Sequence, residues 1–272
     1  MTSDADFLRT GHRQSISQPR VRRGPAVRRI TVRDLFQSLR KGLGDFWSKP
    51  SHIFFLGLIY PLAGLFIGNL VLDYEVIPLL FPLIAGLTLV GPFVAIGLYD
   101  ISRRREAGLD PSWLDALAIL HTPARGAIVE LGLCLMVTYF AWLVTAMLLY
   151  RWTFPHGSAT TAVGFIVDLV ATRPGWTLIV VGNSLGFVFA TIVLMTSVVS
   201  FPLLIDRKVS LGCAIATSFR AVIANPGPMA FWGAIVAAGM VVGALTLFVG
   251  LAVIMPVLGH ATWHLYRSVV EV

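Results

Sequence analysis

Charged residues are scarce in this sequence. Only 13% of the 272 residues are charged, whereas an ordinary soluble domain carries about a quarter. Almost none occur in residues 52–72, 76–99, 131–150, 176–205 and 229–266. Because apolar runs of about 20 residues match the hydrocarbon thickness of a bilayer, this pattern excludes a soluble globular protein and predicts an integral membrane protein.

Cysteine and catalytic motifs are also lacking. The two cysteines, Cys134 in an apolar segment and Cys213 in a connecting segment, indicate neither a disulfide framework nor a zinc site. No stretch resembles a nucleophile elbow, a phosphate-binding loop or a paired-carboxylate site, because the glycine-rich stretches lie inside apolar segments. The sequence therefore predicts a protein that is not an enzyme and that holds no cofactor.

The apolar segments predict an all-α bundle of about six membrane-spanning helices. The first four spans are predicted at about residues 52–72, 76–99, 127–150 and 176–205. As one helix, the last apolar block (229–266) would be about 57 Å long, so we predict two short spans that meet near residues 248–250. Residues 1–28 are polar and predict a disordered basic tail, followed by a single six-span domain over residues 29–272.

The distribution of Lys and Arg predicts the orientation in the membrane. With six spans, nineteen of the 21 basic residues lie on one side, and Arg151 and Arg173 lie on the other. The positive-inside rule makes the basic side cytoplasmic, which predicts an inner-membrane protein with both termini in the cytoplasm. The net charge of +7 therefore indicates topology and attraction to anionic lipid headgroups, and it does not indicate nucleic-acid binding.

An amphipathic helix, a proline and a transmembrane hairpin recur three times along the chain. The three units cover about residues 30–99, 109–205 and 209–267. Their amphipathic helices fall between Thr31 and Pro50, between Asp110 and Pro123, and between Ser210 and Pro226. We predict that these helices lie at the cytoplasmic interface, although any loop on that side tends to be amphipathic. In the first helix, Asp34 occupies the capping-box position relative to Thr31.

Glycines four residues apart predict close packing of helices, either within the chain or between subunits. The pairs are Gly64 and Gly68, Gly182 and Gly186, and Gly239 and Gly243.

Acidic residues are nearly absent from the predicted spans. Glu130 lies about one turn into the third span, where we predict an interfacial ion pair with Arg125 or with residues 103–105, or else a proton relay. Side chains at mid-depth such as Thr138 and Asn183 usually bond to the backbone or to a neighbouring helix. This composition argues against coupled transport and leaves a passive pore open.

Two histidines near the C-terminus form a candidate ligand-binding segment. His260 and His264 lie one turn apart on one helical face, a spacing compatible with a shared metal or a haem edge. Trp263, Tyr266 and Arg267 accompany them. Imidazole and aromatic side chains also suit the membrane interface without any ligand, so the histidine pair alone does not establish a metal site.

A polar motif follows the second predicted span, within the sequence GPFVAIGLYDISRRREAG (residues 91–108). If the helix continues, Asp100 can pair with Arg104, Ser102 can hydrogen-bond with Glu106, and Gly108 would end the helix. Tyr99 is predicted to lie in the aromatic belt. We expect the motif to form a functional cytoplasmic interface through Tyr99, Asp100, Ser102, Arg103, Arg104, Arg105, Glu106 and Gly108.

This segment, LGDFW (residues 43–47) and PVLGHATWHLYR (residues 256–267) together resemble the bacterial integral membrane family catalogued as domain of unknown function 2189. The resemblance covers most of the chain from about residue 30 and implies a bacterial membrane protein without assigned activity. Some family members are labelled as cytochrome c oxidase subunits. The sequence departs from the catalytic subunit of those oxidases, which is longer and contains adjacent histidines, so the label implies at most an accessory role.

Three functions remain open from the sequence. We favour a non-enzymatic scaffold or accessory subunit of a membrane protein complex, because charged and aromatic motifs cluster at the predicted cytoplasmic interface. A transporter or pore for a small solute, using the cleft between the units, is the main alternative. A haem- or metal-binding redox protein using His260 and His264 is the third.

Overall fold

The computed structural model describes residues 24–48, 64, 95–112, 122–157, 162–246 and 249–271. Within these residues the chain is almost entirely helical, and the β structure is limited to an isolated antiparallel bridge between Val27 and Val270. The predicted all-α fold is therefore confirmed. The first predicted span, most of the second span, the greater part of the second amphipathic helix and Gly68 lie outside the described residues.

Nine described helices follow one another along the chain. They are α1 (Val32–Ser48), α2 (described over residues 95–106), α3 (Arg125–Thr153), α4 (Ala162–Ala171), α5 (Arg173–Ser197), α6 (Ser200–Asp206), α7 (Leu211–Ala224), α8 (Pro226–Leu245) and α9 (Leu251–Val269). Three helical stretches in this part of the chain are long and apolar enough to cross a membrane: α3, α5 with α6, and α8. The total of six spans remains a prediction.

Helices α3 and α5 pack as an antiparallel pair. Gly182 and Gly186 of α5 lie against Leu149 and Trp142 of α3, respectively. Because glycine has no side chain, the indole of Trp142 can approach the α5 backbone, as expected where small residues line a contact between membrane helices.

Helices α8 and α9 form a hairpin. Helix α8 ends at Leu245 and α9 begins at Leu251, which agrees with two short helices meeting near residues 248–250. Gly239 and Gly243 of α8 face side chains of α9, including Leu251. Helix α9 is not among the candidate spans, since its C-terminal half carries the polar motif that begins at His260.

The first and third predicted amphipathic helices are present as α1 and α7. The carboxylate of Asp34 accepts hydrogen bonds from the backbone nitrogen and the hydroxyl of Thr31 at 2.7 and 2.8 Å, which caps α1 as the sequence predicts. Ser210 accepts a hydrogen bond from the backbone nitrogen of Cys213 at 3.3 Å and caps α7. Helix α7 ends at Ala224, two residues before Pro226.

The buried faces of both amphipathic helices include small and polar residues, and α1 leaves part of its large apolar face exposed. In α1 the buried residues are Leu35, Ser38, Gly42, Asp45 and Phe46, and the exposed large residues are Val32, Phe36, Leu43 and Trp47. In α7 the buried residues are Ala214, Thr217, Ser218 and Ala221. Small residues let helix backbones approach closely, and this leaves the large apolar face of α1 available to lipid.

The segment before α1 is ordered by contacts with the C-terminal half of the chain. The backbone nitrogen of Arg28 donates to the carbonyl of Val269 at 2.7 Å. The buried side chain of Asn225 accepts from the backbone nitrogen of Ile30 at 2.8 Å and donates to the carbonyl of Arg28 at 3.0 Å. Residues 24–28 therefore belong to this segment and not to the predicted tail.

The stretch between the third and fourth predicted spans is not only a loop. It contains α4, whose residue Phe165 is buried against Tyr150 and Phe154 at the end of α3. At ten residues, or about 15 Å, α4 is too short to cross the hydrocarbon core of a bilayer.

Candidate functional site

Helices α1, α2 and α9 meet at unusually short distances. A Cβ atom at Gly42 would lie 2.5 Å from the backbone nitrogen and 2.7 Å from the Cα of Ala261, so α1 approaches α9 backbone to backbone. A Cβ atom at Gly259 would lie 2.7 Å from the Cδ1 of Leu98 in α2. These two glycines bring three segments that are far apart in the sequence into one place.

Asp45 occupies the centre of this junction. Its Oδ2 accepts a hydrogen bond from Ser102 Oγ at 2.6 Å and lies 2.8 Å from His264 Nε2. Its Oδ1 lies 3.5 Å from an Nη atom of Arg105, and Nδ1 of His260 lies 2.7 Å from Ser102 Oγ. We call Asp45, Ser102, Arg105, His260 and His264 the polar cluster.

The chemistry of the partners fixes the direction of the hydrogen bonds. A carboxylate only accepts, so the Ser102 hydroxyl and the Nε2–H of His264 both donate to Asp45. Because the single proton of Ser102 is used in this way, His260 donates to Ser102 through Nδ1–H. Ser102 and His260 are fully buried. The serine is therefore bound within a chain of hydrogen bonds and is not placed as an exposed nucleophile.

The pKa of Asp45 is held below its ordinary value of 3.8. Burial by itself would raise the pKa, but hydrogen bonds from His264 and Ser102, together with the electrostatic influence of His264 and His260, outweigh burial. Asp45 is consequently ionised at neutral pH, and its negative charge holds the donors of the polar cluster in place.

A second set of contacts extends the junction along α9. Glu106 accepts from Trp263 Nε1 at 3.0 Å and from Arg267 Nε at 3.1 Å. The hydroxyl of Tyr266 donates to Asp206 at the end of α6, at 2.7 Å. The residues of the predicted ligand-binding segment thus bind α1, α2 and α6 of the same chain.

Asp100 pairs with two of the three arginines that follow it on α2. Its carboxylate accepts from Arg103 Nε at 3.0 Å and from Arg104 Nε at 2.8 Å, and the pairing predicted for Arg104 is confirmed. Arg103 also donates to the carbonyl of Ile205 in α6 at 3.3 Å. Asp100 itself is buried, so these two arginines neutralise a charge inside the protein.

Two predictions for the α2 motif are wrong. Ser102 does not bond to Glu106, because each side chain has partners on other helices. Tyr99 lies in the buried core and not in an aromatic belt. The predicted end of the helix is confirmed: Gly108 has a φ of +76°, and the backbone nitrogens of residues 108 and 109 return to the carbonyls of Arg105 and Arg104, as in a Schellman motif.

The two histidines do not form part of a metal-binding group in the described residues. No group of three or more His, Cys, Asp or Glu side chains there is placed to hold a metal ion. The ring nitrogens of His260 and His264 that face the junction bond to Ser102 and Asp45 instead.

Polar side chains within the described spans bond to their own helix. Thr138, Asn183 and Ser184 each donate to the carbonyl four residues earlier, at 2.7–3.0 Å. The predicted ion pair of Glu130 with Arg125, or with residues 103–105, is not formed among the described residues, and Glu130 is exposed. These side chains carry no sign of a coupling site.

Sequence reasoning missed three residues that make long-range contacts: Asp45 and Asp206 in the junction, and Asn225 beside the segment before α1. Asp45 lies within LGDFW, which carries part of the family resemblance, and on the same helical face as Gly42 and Ser38. A single acidic residue, Asp45, on a helical face with the small residues Ser38 and Gly42 was the feature of the sequence that could have indicated a buried polar contact. Asp206 and Asn225 lie at helix ends, where polar residues are common, and gave no distinguishing signal.

Comparison with known proteins agrees with these observations. No curated protein and no solved structure matches the chain. The matching family model covers residues 80–206, a segment that includes the α2 motif but neither Asp45 nor the two histidines. Residues 80–206 match the family described as "Predicted integral membrane protein (DUF2189)", and three described helical stretches are long and apolar enough to cross a bilayer. The chain is therefore an integral membrane protein.

Proposed function

We propose that the protein is a non-enzymatic scaffold or accessory subunit of a complex in the bacterial inner membrane. It acts through a cytoplasmic surface, here called the platform, which consists of α1, residues 99–108 and residues 260–271. The polar cluster is the observation that carries this proposal, because it joins positions 45, 102, 260 and 264. A buried polar network adds little to stability compared with apolar packing, and fixing one arrangement of its elements is its best-attested use.

The exposed side of the platform offers a binding surface. A groove of about 190 Å³ runs between α1 and α9 beside the cluster, and its lining includes Lys41, Glu106 and Arg267. Both signs of charge are present within the groove. Such a surface suits the charged side chains of a partner protein.

Lipid contributes to the position of the platform. Arg33, Arg40 and Lys41 are exposed on α1, beside the exposed apolar face that includes Phe36 and Trp47. An amphipathic helix with basic residues flanking its apolar face binds the surface of a membrane that contains anionic lipid. By the positive-inside rule, the basic charge of this side supports a cytoplasmic location for it and for both termini.

Gentle detergent extraction of native membranes, followed by native electrophoresis and mass spectrometry, tests the proposal. We expect the protein to migrate with a larger assembly and to retain anionic lipid. In the triple variant Arg33→Gln, Arg40→Gln, Lys41→Gln, lipid retention should fall severalfold. Arg151→Gln with Arg173→Gln, at the end of α3 and the start of α5, is the matched control.

Migration of the wild type as a lone monomer or small homo-oligomer would contradict the proposal. Transport of small solutes in liposomes would then become the next measurement. Equal loss of lipid from the triple variant and from the control would show that retention depends on overall charge and not on α1.

A further inference from the structure

Helix α4 carries a continuous apolar stripe that no other described part of the chain covers. Val163, Ile166, Val167 and Val170 follow the i, i+3, i+4, i+7 spacing of one helical face, and they are 73%, 58%, 52% and 57% exposed. The helix contains no basic residue and a single acid, Asp168. Four large aliphatic side chains facing water on one short helix would be costly.

Helix α4 is held firmly in place despite its exposure. Its opposite face buries Phe165 against Tyr150 and Phe154 of the preceding segment, with ring centroids 6.2 and 6.4 Å apart. The indole nitrogen of Trp176, in the first turn of α5, donates to the carbonyl of Val170 at 3.0 Å. Gly175 packs so closely on the last turns of α4 that a side chain there would collide with the backbone. The stripe is thus presented in a fixed direction.

Exposed apolar side chains also line the end of α3 that leads to α4. Val144, Leu148 and Trp152 form a row along α3 and are exposed by 59–70%, as expected of a span that faces lipid. Trp152 ends this row, and the exposed Trp176 begins α5. Tryptophan is enriched where the acyl chains meet the headgroups, so both residues indicate the depth of the membrane surface at this end of the bundle.

We propose that α4 lies in the membrane interface on the side opposite the platform, with its apolar stripe among the lipid acyl chains. Lipid is the occupant because the stripe lies at the same end of the bundle as the exposed row of α3 and the two tryptophans. The 29 residues of α3 extend about 43 Å, enough to cross the hydrocarbon core and place α4 at the far surface.

Nitroxide labels in proteoliposomes test this proposal. Single cysteines replace Val163, Ile166, Val167 or Val170 in a Cys134→Ser, Cys213→Ser background, and His156→Cys, in the exposed turn before α4, is the control. Oxygen dissolves in lipid, whereas a nickel chelate stays in water. We expect the ratio of oxygen collisions to nickel-chelate collisions to be severalfold higher at all four stripe positions than at position 156. Because all five side chains are exposed, labels there displace no packed atoms.

Two results would overturn the proposal. Accessibility to the nickel chelate as high at the stripe as at position 156 would mean that α4 faces water. Low accessibility to both reagents would mean that protein, such as a second copy of the chain, covers the stripe in place of lipid.

Discussion

Replacing Gly42 by alanine is expected to separate α1 from α9 and to destabilise the protein. The added Cβ would meet the backbone nitrogen and Cα of Ala261 at 2.5 and 2.7 Å. Backbone atoms cannot rotate away as a side-chain end can, so the helices must move apart, at a cost of about 1–3 kcal/mol. Because Asp45 lies on the same face, one turn further along, the movement also stretches its bonds to Ser102 and His264. Thermal unfolding in detergent, followed by tryptophan fluorescence, measures the effect as a lower apparent melting temperature.

Gly44 provides the matched control on the same helix. Nothing lies within 4 Å of a Cβ at this position, and alanine forms helix better than glycine by about 1 kcal/mol. Gly44→Ala should therefore unfold at the same temperature as the wild type or higher. Equal behaviour of the two variants would show that α1 does not pack on α9 as described.

Asp45→Asn should be the most damaging isosteric change in the polar cluster. Ser102 and His264 both donate to Oδ2, and Arg105 lies beside Oδ1. The amide must therefore turn its NH2 group either toward the two donors or toward the guanidinium, and in both orientations the negative charge is lost. Removing one member of a buried, charge-assisted set costs about 3 kcal/mol. The apparent melting temperature at neutral pH measures this loss. Glu271→Gln is the control, since it removes an acid that forms an exposed ion pair with Arg28.

The effect of Asp45→Asn should depend on pH with a definite sign. The pKa of Asp45 is lower in the folded protein than its ordinary value of 3.8. Its stabilising contribution is therefore fully present above the unfolded value and is lost as the pH falls through the folded value, so the difference between wild type and variant should shrink below about pH 4. A difference that stays constant into strong acid would contradict the ionised state assigned to Asp45.

Local signals in the sequence were sufficient to predict α1 and α7. Their beginnings depend on Thr31 with Asp34 and on Ser210, whose side chains act within one turn of the chain. The end of α2 at Gly108 is equally local. Such features are encoded by neighbouring residues, and a sequence displays them directly.

The buried face of α1 could not be predicted in the same way. In a soluble protein the large apolar stripe points into the core, whereas α1 exposes Phe36 and Trp47 and buries Gly42 and Asp45. Lipid removes the penalty for exposing apolar side chains, so close backbone contact and hydrogen bonds decide which face packs. Periodicity alone does not distinguish these two outcomes.

The candidate site was visible as separate motifs but not as one cluster. The predicted resemblance rested on LGDFW, the α2 motif and residues 256–267, of which the family model matches only the α2 motif. Ser102 binds Asp45 across 57 positions and His260 across 158, and only tertiary packing brings these motifs together. The i, i+4 spacing of the two histidines suggested a metal, yet it equally lets both imidazoles reach one serine–carboxylate pair.

Hydrogen–deuterium exchange of the wild-type protein in lipid nanodiscs tests most directly whether the platform is one rigid unit. The polar cluster and the Gly42 contact predict that backbone amides of α1 between Leu35 and Phe46 exchange as slowly as those of α9 between His260 and Arg267. Rapid exchange throughout α1, while α9 remains protected, would mean that α1 rests loosely on the membrane surface and would contradict a platform held together by Asp45.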